Sequence, residues 1–144
     1  MNKTVLMTAT IASLAVNVFA ADNNFIGGTD NTISVNSKSS MVTGFQNHID
    51  ANNAFAFGTD NTVTGENGFA GGNNATAAGR NSFAFGSHAE SLVEYTIAMG
   101  NQARTSAYNT IAIGNGAYAN GESTVVIGRT NTVNAENDTV IDSN

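Results

Sequence analysis

Apolar residues alternate with small residues in short stretches that recur along most of the chain. In 55–57, 83–85 and 111–113, two large apolar residues flank an alanine, and a glycine follows each triplet. A weaker alternation of small residues follows the glycine. Period-two alternation is typical of β-strands, and the Gly, Asn and Asp residues between the stretches mark turns. The pattern therefore predicts two short strands around each glycine.

These glycines recur at a fixed spacing. Seven of them stand at every fourteenth position, and Gly28 precedes the first of the seven at a slightly wider spacing. We count each as position 0 of its unit and predict a turn there; they are Gly28, Gly44, Gly58, Gly72, Gly86, Gly100, Gly114 and Gly128. A 14-residue unit with two strands is too small to form a domain alone. It predicts one coil of an all-β solenoid, in which about eight coils pair with the coils above and below.

A helical repeat is the main alternative, because a 14-residue unit equals two heptads. Nearly every unit contains glycine and several asparagines, which disfavour helix. The apolar residues also recur at i, i+2 rather than at i, i+3 and i+4. A coiled coil is therefore improbable.

The alternation also suggests which side chains face outward. We expect the paired large residues at positions −3 and −1 to point into the coil, so that the small residue at position −2 points out. This outward stripe would consist of Ala56, Ala70, Ala84, Ala98, Ala112 and Val126. Because a contiguous apolar stripe on a surface usually marks an interface, we predict that the chain self-associates along it.

The 109–122 unit, NTIAIGNGAYANGE, resembles the head repeat of YadA-like trimeric autotransporter adhesins, as do 81–86, 96–100 and 123–128. About eight such units follow in phase between Phe25 and Ile141. The resemblance implies a single-stranded left-handed parallel β-roll that forms a homotrimer on the outer surface of a Gram-negative bacterium. It also implies attachment to host matrix proteins, host cells or other bacteria. Neither heptads nor alternating membrane strands follow the last unit, so we expect a head without stalk or membrane anchor.

Residues 1–20 are predicted to be a secretory signal peptide. Lys3 supplies the positively charged n-region, and residues 5–18 form a mostly apolar h-region. Val18-Phe19-Ala20 matches a signal-peptidase site with cleavage after Ala20. Polar residues interrupt the segment too often for a membrane span. We therefore expect the head repeats to occupy residues 21–144. We also expect an exported protein, at the cell surface or secreted, with no membrane span in the mature chain.

Composition narrows the classes of function. The chain has 15 Gly and 22 Asn, no Cys, Pro or Trp, only 11% charged residues and a net charge of −6. Without Cys there can be no disulfide and no thiolate metal site. Without an excess of basic residues a nucleic-acid partner is disfavoured. Turns and Asn ladders between coils account for most of the asparagines.

No catalytic constellation is visible, so we expect no enzymatic activity and no cofactor. His48 and His88 occupy different positions of their units, +4 and +2, and we expect no column of carboxylates that could complete a metal site. Tyr and Arg are enriched at interaction hot spots. Candidates of this kind are Tyr95, Tyr108, Tyr118, Arg104 and Arg129, although solvated turn residues are the simpler interpretation.

The leading hypothesis is thus a non-enzymatic adhesin head whose partner is a host matrix protein or a cell-surface receptor. One alternative is a secreted solenoid that binds a repetitive surface such as glycan or ice; another is a purely structural fibre segment. A regular row of threonines would favour the surface-binding alternative. Threonines do recur at positions +4 and +10, but other residues interrupt both rows.

Overall fold

The structure is a computed structural model that describes residues 18–20 and 23–141. In this part of the chain all regular elements are strands, which confirms the predicted all-β class. They are β1 (Val18–Ala20), β2 (Asn24–Thr29), β3 (Thr32–Ile33), β4 (Met41–Phe45), β5 (His48–Ile49), β6 (Phe55–Thr59), β7 (Thr62–Val63), β8 (Phe69–Asn73), β9 (Thr76–Ala77), β10 (Phe83–Ser87), β11 (Glu90–Ser91), β12 (Ile97–Met99), β13 (Arg104–Thr105), β14 (Ile111–Ile113), β15 (Tyr118–Ala119), β16 (Val125–Ile127), β17 (Thr132–Val133) and β18 (Thr139–Ile141).

The strands form two sheets, one from each half of the coil. Ten strands make the first sheet, in the order β1-β2-β4 and onward through the even-numbered strands to β18; the odd-numbered strands from β3 to β17 make the second. From β2 onward every pairing shown is parallel and joins equivalent positions of adjacent coils, as when Phe83 pairs with Phe69 and Ile97. The chain is therefore a β-solenoid of about eight coils, as the spacing predicts.

Each coil closes through two turns that use left-handed backbone. The eight repeat glycines have φ between +88° and +139°. The non-glycine residues two positions after the glycine, such as Asp60, and nine positions after it, such as Asn67, have φ near +55°. Asn and Asp tolerate this conformation better than other non-glycine residues do. The high content of Asn therefore follows in part from the demand of each coil for left-handed turn residues.

Small side chains fill the interior of the coil. The position −2 residues Ala56, Ala70, Ala84, Ala98, Ala112 and Val126 are all 0% exposed. The prediction that this stripe faces outward is therefore wrong. Two short strands and two tight turns enclose only a narrow space, which alanine, serine and threonine fill at the close packing of a protein interior. A pair of large side chains in every coil does not fit there, so the first sheet turns them outward.

Three threonine hydroxyls inside the solenoid have local partners. Thr96, Thr110 and Thr124, at position +10, are fully buried. Their hydroxyls donate to the carbonyl oxygens three residues earlier, over 2.6, 2.9 and 2.8 Å. One of the two threonine rows considered for surface binding is thus part of the core, where it stabilises the second turn.

An asparagine ladder runs through the interior at position +3 of the first three coils. The side-chain amide of Asn47 donates to Asn31 Oδ1 over 2.9 Å, and that of Asn61 donates to Asn47 Oδ1 over 2.8 Å. Asn61 also donates to the carbonyl oxygens of Phe57 and Gly72. The ladder therefore ties each first turn to its neighbours.

Strand β1 lies within the predicted signal peptide. It pairs antiparallel with β2, and Phe19 lies opposite Phe25. The rest of the predicted signal peptide, residues 1–17, lies outside the described residues, as do 21–22 and 142–144. Cleavage after Ala20 and the start of the head at residue 21 stay predictions.

Candidate functional site

The outer surface of the first sheet is predominantly apolar. We call it the apolar face and define it by the side chains at positions −3 and −1. In the single chain Met41, Phe85, Ile97 and Met99 are 36–40% exposed. The members are Phe25, Met41, Phe55, Phe69, Phe83, Ile97, Ile111 and Val125 at position −3, and Thr43, Phe57, Phe85, Met99, Ile113 and Ile127 at position −1.

Aromatic rings form the N-terminal half of the apolar face. Phe55, Phe69 and Phe83 stack across three coils, with ring centroids 5.2 and 4.6 Å apart and planes within 8° of parallel. Phe57 meets Phe69 edge-on at 5.5 Å. Gly71 stands where a third large residue would lie, and a Cβ there would come within 2.5 Å of the Phe57 ring. Because Gly71 has no side chain, the rings of the adjacent coils can occupy the space beside it and cover the surface there.

The outer surface of the second sheet is polar and changes character along the solenoid. Position +4 carries threonines in the first four coils, apart from His48, and then Glu90, Arg104 and Tyr118. Glu90 Oε2 lies 3.2 Å from Arg104 Nε, and the guanidinium of Arg104 lies 5.6 Å from the ring centroid of Tyr118. A shallow open groove of about 310 Å³ lies beside them. These residues interrupt the second threonine row, so this surface is not a regular array.

A second group of charged and aromatic side chains lies on the second turn of the coil. We call it the second-turn cluster and define it as Arg80, Glu94, Tyr95 and Tyr108. Arg80 Nη2 lies 3.1 Å from Glu94 Oε2 and donates to the Tyr95 hydroxyl over 3.0 Å. The hydrogen bond and the negative charge of Glu94 raise the pKa of Arg80 above its ordinary value, so Arg80 stays cationic. Tyr95 and Tyr108 are 48% and 50% exposed.

The two histidines lie apart, each with a hydroxyl neighbour. His48 Nδ1 is 2.7 Å from Thr32 Oγ1, and His88 Nδ1 is 2.9 Å from Ser87 Oγ. Within residues 23–141 no three His, Asp or Glu side chains converge on a point where they could hold a metal ion.

Four glutamates nevertheless share one column of the repeat. Glu66, Glu94, Glu122 and Glu136 all stand at position +8, on the second turn. Arg80 and Tyr108 occupy the same position in the coils between them, so among these acids only Glu122 and Glu136 belong to adjacent coils. The column therefore mixes acidic, basic and aromatic side chains rather than concentrating negative charge.

Both ion pairs were missed at the sequence level, although the repeat contains the signal. Arg80 and Glu94 stand at equivalent positions of adjacent coils, and so do Glu90 and Arg104. In a solenoid with a 14-residue coil, opposite charges one repeat apart lie on adjacent strands or turns. A search for charge reversal between equivalent positions would have found them.

The repeat matches a known family. The profile described as "YadA head domain repeat (2 copies)" matches residues 50–75, 64–89 and 94–117. The chain contains a YadA-like head domain. YadA heads occur in surface-exposed trimeric autotransporter adhesins, so the family implies an adhesin-type, non-enzymatic role. No curated protein sequence matched the chain.

The residues predicted to matter in the YadA-like head do not all lie on its surface. The eight repeat glycines all have positive φ and lie where strands of the first sheet end: Gly28, Gly44, Gly58, Gly72 and Gly86 are the second-last residues of their strands, and Gly100, Gly114 and Gly128 directly follow theirs. The stripe from Ala56 to Val126 is inside, so it offers no surface for self-association in this fold. The apolar face takes its place as the candidate surface. Among the described residues no helix is long and apolar enough to cross a membrane.

Proposed function

We propose that this chain is the non-enzymatic head of an adhesin that attaches a bacterium to host extracellular matrix, to host cells or to other bacteria. The observation that carries the proposal is the YadA head repeat, which recurs in phase along the solenoid. Export through the signal peptide at residues 1–20 and display at the cell surface, or secretion, belong to the proposal.

The head acts as a homotrimer in this proposal, and the apolar face is the contact between copies. A long apolar strip is unusual for the surface of a monomer, since large exposed apolar patches normally mark an interaction site. Its phenyl rings and aliphatic side chains lose contact with water only when another copy covers them. Three parallel copies that turn this face toward a common axis would bury it along its full length.

Attachment by such a trimer works through many weak contacts. The second sheet and the turns lie away from the apolar face, and successive coils repeat them at about 4.8 Å. Each contact is present in all three chains, so the avidity of the trimer exceeds the affinity of any single contact.

The experiment uses the mature chain, residues 21–144. Light scattering should report three times the chain mass, and immobilised collagen, fibronectin or laminin, or host cells, should bind the protein saturably. A mass that stays monomeric at all concentrations would contradict the homotrimer. Absence of binding to the three matrix proteins and to cells would contradict the adhesin role.

A further inference from the structure

Tyr95 occupies a backbone position that suits a different residue. Its φ is +60°. Asn occupies five of the equivalent positions in other coils, with φ of 53–56°, and Ser39 and Ser123 occupy two more. A bulky side chain is disfavoured in this region compared with Asn. Burial does not compensate, since Tyr95 is 48% exposed. Local strain of this kind persists mainly at functional sites.

Tyr95 also ends a hydrogen-bonded ladder. On the same turn, Asn53 Nδ2 donates to Asn67 Oδ1 over 3.2 Å, and Asn67 Nδ2 donates to Asn81 Oδ1 over 3.0 Å. An Asn at position 95 could continue the row. The tyrosine therefore replaces a residue that would suit both the backbone and its neighbours.

The neighbours of Tyr95 hold its ring in place. Arg80 reaches across from the preceding coil, with its guanidinium 5.6 Å from the ring centroid. The ion pair with Glu94 fixes Arg80 in turn, and both side chains stay 37–49% exposed. Tyr108 follows one coil later, at the position equivalent to Glu94. Arg80, Glu94 and Tyr95 thus hold one another in place before any partner arrives, which lowers the entropic cost of binding.

The chemistry of the cluster is that of a protein-binding surface. Tyr and Arg are the residues that most often carry binding energy at interfaces. Antibody loops combine Tyr with Asn, Ser and Gly, and here Asn81 and Asn109 flank the cluster. Small ligands prefer concave sites, whereas these side chains stand on the outside of a turn. A protein partner therefore fits better than a free sugar.

We propose that the second-turn cluster is the hot spot through which the head binds a protein partner. The proposal rests on the adhesin function proposed above and names the surface that carries it.

The decisive variant is Tyr95→Asn, because it restores the residue that the backbone favours. The thermal midpoint should rise by about 3 °C, and the assembled mass should stay that of the wild type. Affinity for the partner should fall at least about 10-fold. Ser123→Asn is the matched control, since it introduces the same residue at the equivalent turn two coils later. It should raise the midpoint similarly and leave affinity unchanged.

Binding is measured with the assembled mature protein on immobilised fibronectin, laminin and collagen. If the wild type binds one of them and Tyr95→Asn binds equally well, the hot spot is overturned while the adhesin function stands. A lower midpoint for Tyr95→Asn would show a structural role for the tyrosine and would also overturn the proposal. Loss of wild-type binding after enzymatic removal of glycans from the matrix protein would assign the partner to carbohydrate instead. Failure of the wild type to bind any of the three matrix proteins or host cells would remove the function on which the proposal rests.

Discussion

At the scale of the residue, alanine is the main core side chain of this protein. Ala98, Ala103 and Thr105 of one coil are all 0% exposed. Each buries little area, so no single residue carries the stability, and close packing makes added volume costly.

Enlarging one core alanine should therefore destabilise the fold. We expect Ala98→Leu to lower the free energy of unfolding by about 3 kcal/mol, because the surrounding coil has no space for three further carbons. Urea denaturation measures this decrease in the free energy of unfolding. Met99→Leu is the control, since Met99 is 37% exposed and should tolerate the change. Equal stability of Ala98→Leu and the wild type would contradict a buried stripe.

The repeat glycines are required for two physical reasons. Gly100 has φ +132°, and a Cβ there would overlap the carbonyl oxygen of Gly114 in the next coil. Gly116 differs: its φ is +65°, and the nearest atom to an added Cβ is Thr130 Cγ2 at 3.5 Å. Other coils place Asp, Asn, Gln, His or Thr at the position of Gly116.

These two glycines should respond differently to substitution. Gly100→Ala should cost more than about 3 kcal/mol of unfolding free energy, since strain and overlap add. Gly116→Asn should change stability by less than about 1 kcal/mol. Thermal denaturation of the two variants measures the two losses of stability. A similar loss for both would show that backbone freedom alone, rather than the close stacking of coils, demands glycine.

At the scale of the element, the strands of the first sheet differ in length, and the interior asparagine ladder lies in the coils at the N-terminal end, where they are longer. Strands β4, β6, β8 and β10 have five residues, whereas β12, β14 and β16 have three. In the four coils after the ladder, alanine replaces the ladder asparagine, and the nitrogens of Ala103 and Ala117 approach the repeat-glycine oxygens of their own coils at 3.4 Å. The side-chain amides thus support the first turns of the ladder coils, and a tighter backbone turn closes the coils of Gly100 and Gly114.

Removing one rung of the ladder should weaken the turn around it. Asn61→Ala deprives the Ala75 nitrogen of its acceptor and leaves the oxygens of Phe57 and Gly72 without the amide donor. We expect a loss of about 2 kcal/mol, because these groups are buried. Amide hydrogen exchange should accelerate at Ala75.

Asn115→Ala is the control for that experiment. Asn115 donates to Asn101 on the exposed surface over 3.1 Å, and its loss should cost less than about 0.5 kcal/mol. Unchanged exchange at Ala75 in Asn61→Ala would contradict a supporting role for the ladder.

At the scale of the whole molecule, the solenoid is a rod whose surfaces differ. One side is the apolar face, and the opposite side carries threonines, the Glu90–Arg104 pair and Tyr118. Because each coil contacts only its neighbours, substitutions that point outward should leave the coil intact. Assembly can therefore be tested apart from folding.

Charge on the apolar face should separate the copies. We expect Ile97→Glu combined with Met99→Glu to reduce the mass in light scattering from three chains to one, with strand content retained in circular dichroism. Both residues are 36–37% exposed in the single chain, so the coil has little reason to unfold. Thr62→Glu with Thr76→Glu, on the second sheet, should stay trimeric. A trimeric mass for the first variant would place the contact elsewhere.

Individual contacts were only partly predictable from the sequence. The ion pair of Arg80 and Glu94 follows from the repeat once the coil length is known, since their spacing is one coil. The contact of Arg80 with Tyr95 does not follow from the repeat, because it depends on the directions in which the side chains of two adjacent turn residues point.

The sequence by itself determined the coil: a glycine at every fourteenth position, flanked by two alternating stretches, permits only a stack of short strands. Alternation separates two faces of a strand but does not say which one is inside. Only the tertiary structure decided that the alanines face in and the phenylalanines face out, because the width of the enclosed space depends on how closely the two sheets approach. Small residues let the sheets come together, and the large ones then cover the outside, where another chain can meet them.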